Sequence, residues 1–185
     1  MKLRGNVLGL SLIAGVALCA AAQADDKGKS VDCSDIAMKF AAPGYNVKCT
    51  DYSNNNVSDG YVTTGIKTEL LEADSDDQRT YLAAVDQRVL GDYSMRRYSM
   101  IDDIRSYFNE QQLDDWTPID DFDGYQMANY TGHTDRGSPI DCIAFRREVT
   151  RRNNGVGRLV VGISCTMRKR DDAIEALKKL DAPGG

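Results

Sequence analysis

The last third of the chain limits the possible folds most strongly, because three strand-like segments follow one another there with turn signals between them. Tyr125 to Thr131, Ile140 to Thr150 and Arg158 to Met167 are rich in residues that favour strands. The Asn153-Asn154-Gly155 turn between the last two is typical of a β-hairpin. Gly and Pro mark a turn over residues 132–139. We therefore predict three consecutive antiparallel strands.

Two more strands are predicted in the first half of the chain. Tyr45 to Asp51 is one, and Tyr61 to Glu72 alternates with the period of a half-buried strand. The polar run of residues 53–56 predicts a loop between them. Residues 112–123 predict an irregular, acidic connection further along the chain.

One segment is ambiguous between helix and strand. Ser75 and Gln78 have the spacing of a capping box, and apolar residues recur at helical spacing after them. This pattern predicts a helix over residues 76–90, which Gly91 would end. A buried strand over residues 81–85 is the alternative.

Three other helices complete the predicted architecture. One short helix follows Ser34, Ser99 opens a second, and Asp172 and Glu175 are the expected capping residues of a last, C-terminal helix. Hairpins with flanking helices imply an α+β domain. We expect an antiparallel sheet of about five strands, ending in the three-strand meander, with helices covering it.

The order of elements over residues 123–180 resembles the C-terminal half of PsbP-like proteins, which are small exported α+β sandwiches. The resemblance is carried by Asp123-Gly124-Tyr125, a turn, a basic strand, the hairpin at Asn153-Asn154-Gly155, an apolar strand and an amphipathic helix. It rests on element order, so it assigns no site residue. It implies an accessory or binding protein without chemistry of its own.

The first 24 residues have the order of a secretory signal peptide: a basic start, an apolar run and the small residues of Ala22-Gln23-Ala24. Cleavage there would leave a disordered polar leader, residues 25–30, and a single domain over residues 31–185. A periplasmic or secreted protein is therefore expected, without a membrane span after cleavage. An uncleaved anchor and a lipoprotein modified at Cys19 are the alternatives.

Four cysteines remain after the signal peptide, and an even number in an oxidising compartment predicts two disulfides. We predict the pairs Cys33–Cys49 and Cys142–Cys165, since the second pair falls opposite across the last hairpin. Matching the apolar faces of those two strands shifts the register by one residue, so the pairing would need a bulge near Arg146-Arg147. The spacings are too wide for a structural zinc site, and no metal is expected.

Charge is distributed unevenly. Without the two basic residues of the signal, 21 basic and 28 acidic side chains remain, a net charge of −7, which disfavours nucleic acid as a partner. Residues 142–185 nevertheless carry 10 basic and 5 acidic side chains. An anionic ligand or an acidic envelope protein could bind such a patch, and internal ion pairing is the alternative. The candidate residues of this basic patch are Arg146, Arg147, Arg151 and Arg152, with Arg158, Arg168, Lys169 and Arg170 nearby.

Other candidates are weaker. Trp116 is either a core residue or an exposed anchor. His133, the only histidine, lies in a predicted turn and could act as a general base with a neighbouring carboxylate. Asp120 to Gly124 resembles a fragment of a calcium loop, but the remaining EF-hand positions do not match.

The sequence therefore predicts an exported, non-catalytic binding or accessory protein of a bacterial-type envelope, with no catalytic residue and no cofactor. Its ligand and partner are not identified by any residue pattern. A small secreted hydrolase that uses His133 is one alternative, and a secreted effector or inhibitor is another.

Overall fold

A computed structural model of the chain describes residues 28–52, 54–58, 61–90, 94–108, 113–134, 136–152 and 155–183, with the backbone alone for 54–58, 61–65 and 151–152. The strands are β1 (Lys29–Val31), β2 (Lys39–Phe40), β3 (Tyr45–Asp51), β4 (Asn54–Ser58), β5 (Tyr61–Ser75), β6 (Thr80–Leu90), β7 (Asp114–Phe122), β8 (Tyr125–His133), β9 (Pro139–Arg152), β10 (Gly155–Thr166) and β11 (Leu180–Asp181). The helices are α1 (Met100–Phe108), between β6 and β7, and α2 (Arg170–Leu177), between β10 and β11.

Nine of these strands form one large antiparallel sheet. Its order is β1-β3-β5-β6-β10-β9-β8-β7, with β4 pairing with β5 beyond the end of β3. β3 and β4 act as one interrupted strand, because Asp51 lies opposite Glu69 and Asn54 lies opposite Ile66 in the same register. Two meanders therefore meet where β6 pairs with β10. β2 and β11 form a separate pair.

Both faces of the sheet are covered. On one face, the buried core includes Ala173, Ala176 and Leu177 of α2 and residues that precede β3. On the other face, Ile104 and Phe108 of α1 pack against a second cluster. Every residue of β10 is buried, as expected for a central strand that is covered on both sides.

The predicted α+β class with a sheet of about five strands is wrong, because the described residues are mostly β, with nine strands in the main sheet and two short helices. The C-terminal three-strand meander is confirmed as β8, β9 and β10. The helix predicted over residues 76–90 is also wrong: from Thr80 onward this segment is β6, and the alternative of a strand was correct. Residues 82–86 are all buried, so the apolar run reflects burial on two faces and not a helical period.

Other segments also differ from expectation. Residues 33–37 form turns and bends where the helix after Ser34 was predicted, and the predicted loop 53–56 overlaps β4. The predicted irregular connection 112–123 is largely β7. Asp123 and Gly124 have φ angles of 47° and 75°, the left-handed values that a tight hairpin turn needs, and they join β7 to β8.

The two helices begin differently. Ser99 caps α1 as predicted: its hydroxyl donates to Asp102 at 2.6 Å and accepts the Asp102 N–H at 3.3 Å. The capping box predicted for the last helix is wrong, because α2 starts earlier with Lys169 at its N-cap and no side-chain cap.

No helix in the described ranges is long and apolar enough to cross a membrane. The predicted signal peptide and Gly91 lie outside the described residues.

Both predicted disulfides are confirmed: Cys33–Cys49 and Cys142–Cys165. Cys142 lies directly opposite Cys165, without the bulge predicted near Arg146-Arg147. The register shifts occur instead between Val156 and Leu159. No conflict of faces arises, because β9 and β10 are buried on both sides of the sheet. Two disulfides indicate an oxidising environment, extracellular or periplasmic.

Candidate functional site

A cleft of about 420 Å³ lies where the turn between β5 and β6 approaches α2 and the residues that lead into β3. Three separate parts of the chain form its walls. They are the turn after Ser75, one side of α2 with Lys179 just beyond it, and residues 42–45. The core packing of the sheet and of α2 therefore fixes the shape of the cleft.

The turn wall is organised by the hydroxyl of Ser75. Its oxygen accepts the N–H groups of Arg79 at 3.1 Å and Thr80 at 2.9 Å, and its proton goes to Asp77 at 2.8 Å. The capping pattern seen in the sequence thus closes a β-turn instead of a helix. The bond from Ser75 is the main reason why the pKa of Asp77 lies below its usual value, with the Arg79 N–H and Arg168 adding to it.

The helix wall follows from the period of α2. Asp172, Glu175 and Ala176 line the cleft, and Lys179 continues the same side at the spacing of neighbouring helical turns. Ala173 on the adjoining side is buried, and its carbonyl accepts the Ser164 hydroxyl at 2.8 Å. The sheet therefore holds α2 with its acidic side toward the cleft.

An aromatic residue forms the third wall. The ring of Tyr45 packs edge-on against Phe40, with 5.1 Å between the ring centroids. Burial raises the pKa of Tyr45, and the charges of Asp172 and Asp77 raise it further, against the effect of Thr80 and Arg168. Together with Pro43 and Ala176, Tyr45 gives the cleft an apolar surface.

Arg146 and Arg147 of the basic patch do not line this cleft, and both are used in structural contacts. Arg146 is buried and donates to Asp103 at 2.7 Å and to Glu148 at 2.9 Å, which ties β9 to α1. Arg147 lies over the ring of Tyr125, 5.5 Å from the ring centroid. The side chains of Arg151 and Arg152 lie outside the described part of the structure.

Three further basic residues of this region are also paired. Arg158 binds Asp86 through two nitrogens and donates to the Pro183 carbonyl at 2.6 Å. Arg168 pairs with Asp77, and Arg170 pairs with Asp141. These contacts favour internal pairing over an exposed basic surface.

A ladder of charges lies on the same face of the sheet as Arg158. Glu69 and Asp86 are fully buried, and Lys67 and Arg88 each lie 2.5 Å from a Glu69 oxygen. Burial by itself would raise the pKa of Glu69, but the ion pair with Lys67, the hydrogen bond from the Ala37 N–H and the charge of Arg88 hold it below its usual value. These charges are therefore structural ion pairs.

Trp116 is half-buried in β7 and packs against the core under α1, with its ring 6.0 Å from that of Tyr130. This position favours the core role over the exposed anchor.

His133 is the last residue of β8 and lies opposite Pro139. Asp141, one of the carboxylates that could have oriented it, is held by Arg170 at 2.6 Å.

The residues of the possible calcium fragment belong to β7 and its hairpin turn. Asp120, Asp121 and Asp123 are exposed there. Exposed charges and Pro118 on this edge strand discourage pairing with another sheet. Within the described ranges, no three His, Cys, Asp or Glu side chains are grouped so that they could hold a metal ion.

Comparisons of the chain with models of known protein families, with curated proteins and with solved structures found no match. The resemblance to PsbP-like proteins therefore stays a prediction.

Sequence reasoning missed the cleft. Its acidic residues come from positions 76–77 and 172–175, which are almost a hundred residues apart. Two local patterns lie near these acidic residues: the Ser75 pattern, and the spacing of Asp172 and Glu175. Each of them predicts a helix cap and not a cleft. Bringing the two together required the register of the whole sheet.

Proposed function

We propose that the chain is an exported, non-catalytic binding or accessory protein, whose mature form begins at Asp25 and works in the periplasm or outside the cell. This proposal rests on the buried ionisable groups, which form structural ion pairs. The buried carboxylates Glu69, Asp86 and Asp103 are each paired with a cation, in contacts that join strands or hold α1. Enzymes more often leave strongly perturbed groups in a cleft.

The cleft supports binding as the role. Pockets for small ligands are concave and mainly apolar, with a few polar groups that orient the ligand. Tyr45, Pro43 and Ala176 supply the apolar part, and charged side chains surround it. The two disulfides suit a protein that leaves the reducing cytosol.

Intact-mass measurement on protein from the cell envelope or the medium tests export. We expect the mass of residues 25–185 with two disulfides. A mass that retains the first 24 residues, or that includes a lipid, would contradict this part of the proposal.

A hydrolase screen tests the absence of catalysis. The wild type and His133→Ala are assayed on ester, peptide, glycoside and phosphoester substrates, and we expect no turnover above background in either. Turnover by the wild type that the variant loses would replace this proposal with the hydrolase alternative. Correct folding of the variant is checked by its unfolding midpoint.

A further inference from the structure

The end of the sheet where β10 begins gathers arginines from two separate segments. The pair Arg151-Arg152 of β9 lies opposite Val156 and Gly155 in the register. On its other side, Val156 bridges to Met95, with hydrogen bonds of 2.7 and 3.0 Å between their backbones. The pair Arg96-Arg97 follows Met95 directly. The segments that carry the two pairs are therefore two strand spacings apart, about 10 Å.

Gly155 allows the segment of Met95 to approach β10 so closely. A Cβ at this position would lie 2.1 Å from the Met95 carbonyl oxygen and 2.9 Å from Oγ of Ser94. Only a residue without a side chain fits there. The place of Arg96 is therefore set by backbone packing and not by a carboxylate.

The guanidinium of Arg96 is available to an anion. Arg96 forms no ion pair with another described residue, and its guanidinium carbon lies 5.5 Å from the ring centroid of Tyr98. Tyr98 is itself 54% exposed. A guanidinium that stacks on an aromatic ring keeps its N–H groups free to donate to phosphate oxygens.

The other described cations at this end are the exposed partners of their ion pairs. Arg97 lies 3.4 Å from Glu148, and its side chain is 51% exposed against 11% for the glutamate. Lys67 and Arg88 are partly exposed and pair in the same way with the buried Glu69. The carboxylates therefore lie inside and the cations outside, which makes the surface of this end basic.

Two exposed apolar side chains lie at the same end. Arg88 is opposite Arg158 in the sheet, two residues before Leu90. Leu90 therefore ends β6 close to the level of Val156, and Ile66 lies beside it in β5. Leu90 is 38% exposed and Ile66 is 45% exposed. Cations and exposed apolar groups thus occur together here.

Ile66 and Leu90 lie on opposite faces of the sheet. Ile66 shares its face of β5 with Leu70, which belongs to the core under α1. Leu90 shares its face of β6 with Leu82, which belongs to the core under α2. A rigid protein partner would have to enclose the end of the sheet to reach both. A membrane surface can deform around it, and offers phosphates next to apolar chains.

We propose that this end of the sheet docks on an anionic phospholipid membrane, with arginines at the headgroup phosphates and apolar side chains at the boundary of the acyl chains. We call it the basic end, and it comprises Ile66, Leu90, Arg96, Arg97, Tyr98, Arg151 and Arg152. The assignment rests on the proposed binding function and names the partner for it. Tyr98 fits this partner, because tyrosine is enriched at membrane interfaces.

Vesicle sedimentation of the mature protein at low salt tests the assignment. We expect binding to vesicles that contain phosphatidylglycerol, and none to vesicles of phosphatidylcholine alone. Arg96→Gln should weaken binding to the anionic vesicles about fivefold, as for one basic residue near an anionic surface. Adding Arg151→Gln and Arg152→Gln should leave no measurable binding. If the wild type does not bind anionic vesicles, the assignment is wrong.

Arg79→Gln is the matched control. Arg79 is exposed and precedes β6, so it lies at the opposite end of that strand from Leu90. We expect its binding to equal that of the wild type. An equal effect of Arg79→Gln and Arg96→Gln would show a response to net charge alone and would overturn the assignment.

The double variant Ile66→Ser with Leu90→Ser tests the apolar contact without a change of charge. We expect vesicle binding to weaken on the order of fivefold, because less apolar area leaves water on docking. Its unfolding midpoint is compared with that of the wild type to establish that it is folded. Unchanged binding would mean that only charge is recognised and would overturn docking on the membrane.

Soluble polyglutamate distinguishes a membrane from an acidic protein. We expect it to bind more weakly per anionic group than the vesicles do, without an effect of the Ile66 and Leu90 changes. Equally tight binding that the triple arginine variant loses would assign the basic end to an acidic protein instead. Failure of the membrane assignment leaves the non-catalytic function standing, since only turnover in the hydrolase screen refutes it.

Discussion

Arg158 of β10 and Asp86 of β6 form a bidentate ion pair across the centre of the sheet. Nε and Nη2 of the arginine donate to the carboxylate, the latter at 2.6 Å, and Asp86 is fully buried. The pair joins the two meanders at the strands where they meet. Because both charges are removed from water, the loss of either side chain would leave the other charge buried without its partner.

Asp86→Asn is therefore expected to destabilise the fold by about 3 kcal/mol, since it leaves the Arg158 guanidinium buried without its counterion. Replacing both residues, as Asp86→Leu with Arg158→Met, should cost less than either single change, because no unpaired charge remains. Urea unfolding followed by circular dichroism measures all four proteins. Costs that simply add in the double variant would contradict this coupling.

Two buried carboxylates should give pH dependences of opposite sign. The folded-state pKa of Glu69 is lowered from 4.5, so its contribution to stability is present above that pH and is lost as the pH falls. For Asp103, burial raises the pKa above 3.8 despite Arg146, so its contribution falls as the pH rises from there. We expect Glu69→Gln to flatten the loss of stability between about pH 6 and 3, and Asp103→Asn to steepen it.

Urea unfolding at several pH values checks both variants. Each variant is compared with the wild type at the same pH. A difference in the free energy of unfolding that is the same at every pH therefore does not change the slope of stability against pH. The same change of slope in both variants would contradict the assigned directions.

Gly162 illustrates why the burial of both faces of the sheet was hard to predict from the sequence. A Cβ at this position would lie 2.2 Å from Cζ of Phe145 and 2.4 Å from the Ala83 carbonyl oxygen. The glycine therefore makes room for a ring on one face of β10, while Ile163 next to it is buried on the other. A sequence pattern shows that both residues are uncharged, but not that both faces are covered.

Gly162→Ala should consequently cost about 2–3 kcal/mol through overpacking. Gly137→Ala is the control: its φ of 76° disfavours a side chain, but nothing lies within 4 Å, so strain alone should cost about 1 kcal/mol. Thermal unfolding compares the two variants. A Gly162→Ala variant as stable as the wild type would mean that the contact with Phe145 has no energetic consequence.

The sequence was informative where the structural signals are local. The hairpin at Asn153-Asn154-Gly155 led correctly to β9 and β10, and Ser99 led to α1. It was uninformative where burial decides, as in β6, because alternation disappears from a strand covered on both faces. The cleft could not be predicted, since Asp76 and Asp172 line the same cleft only after the sheet has formed and α2 has packed on it.

The two disulfides should contribute similarly to stability, although one is near the edge of the sheet and the other is central. Their sequence separations are 16 and 23 residues, and loops of this length stabilise by about 3 kcal/mol each in the chain-entropy model. Cys33→Ala with Cys49→Ala, and Cys142→Ala with Cys165→Ala, should each lower the free energy of unfolding by that amount. Replacing both cysteines of a pair avoids a free thiol that could exchange.

Non-reducing peptide mapping of the wild type establishes the connectivity first, and a peptide linking Cys49 to Cys142 or Cys165 would contradict it. A much larger loss for the central pair would show that packing around Cys142, which is fully buried, adds to the effect of the crosslink.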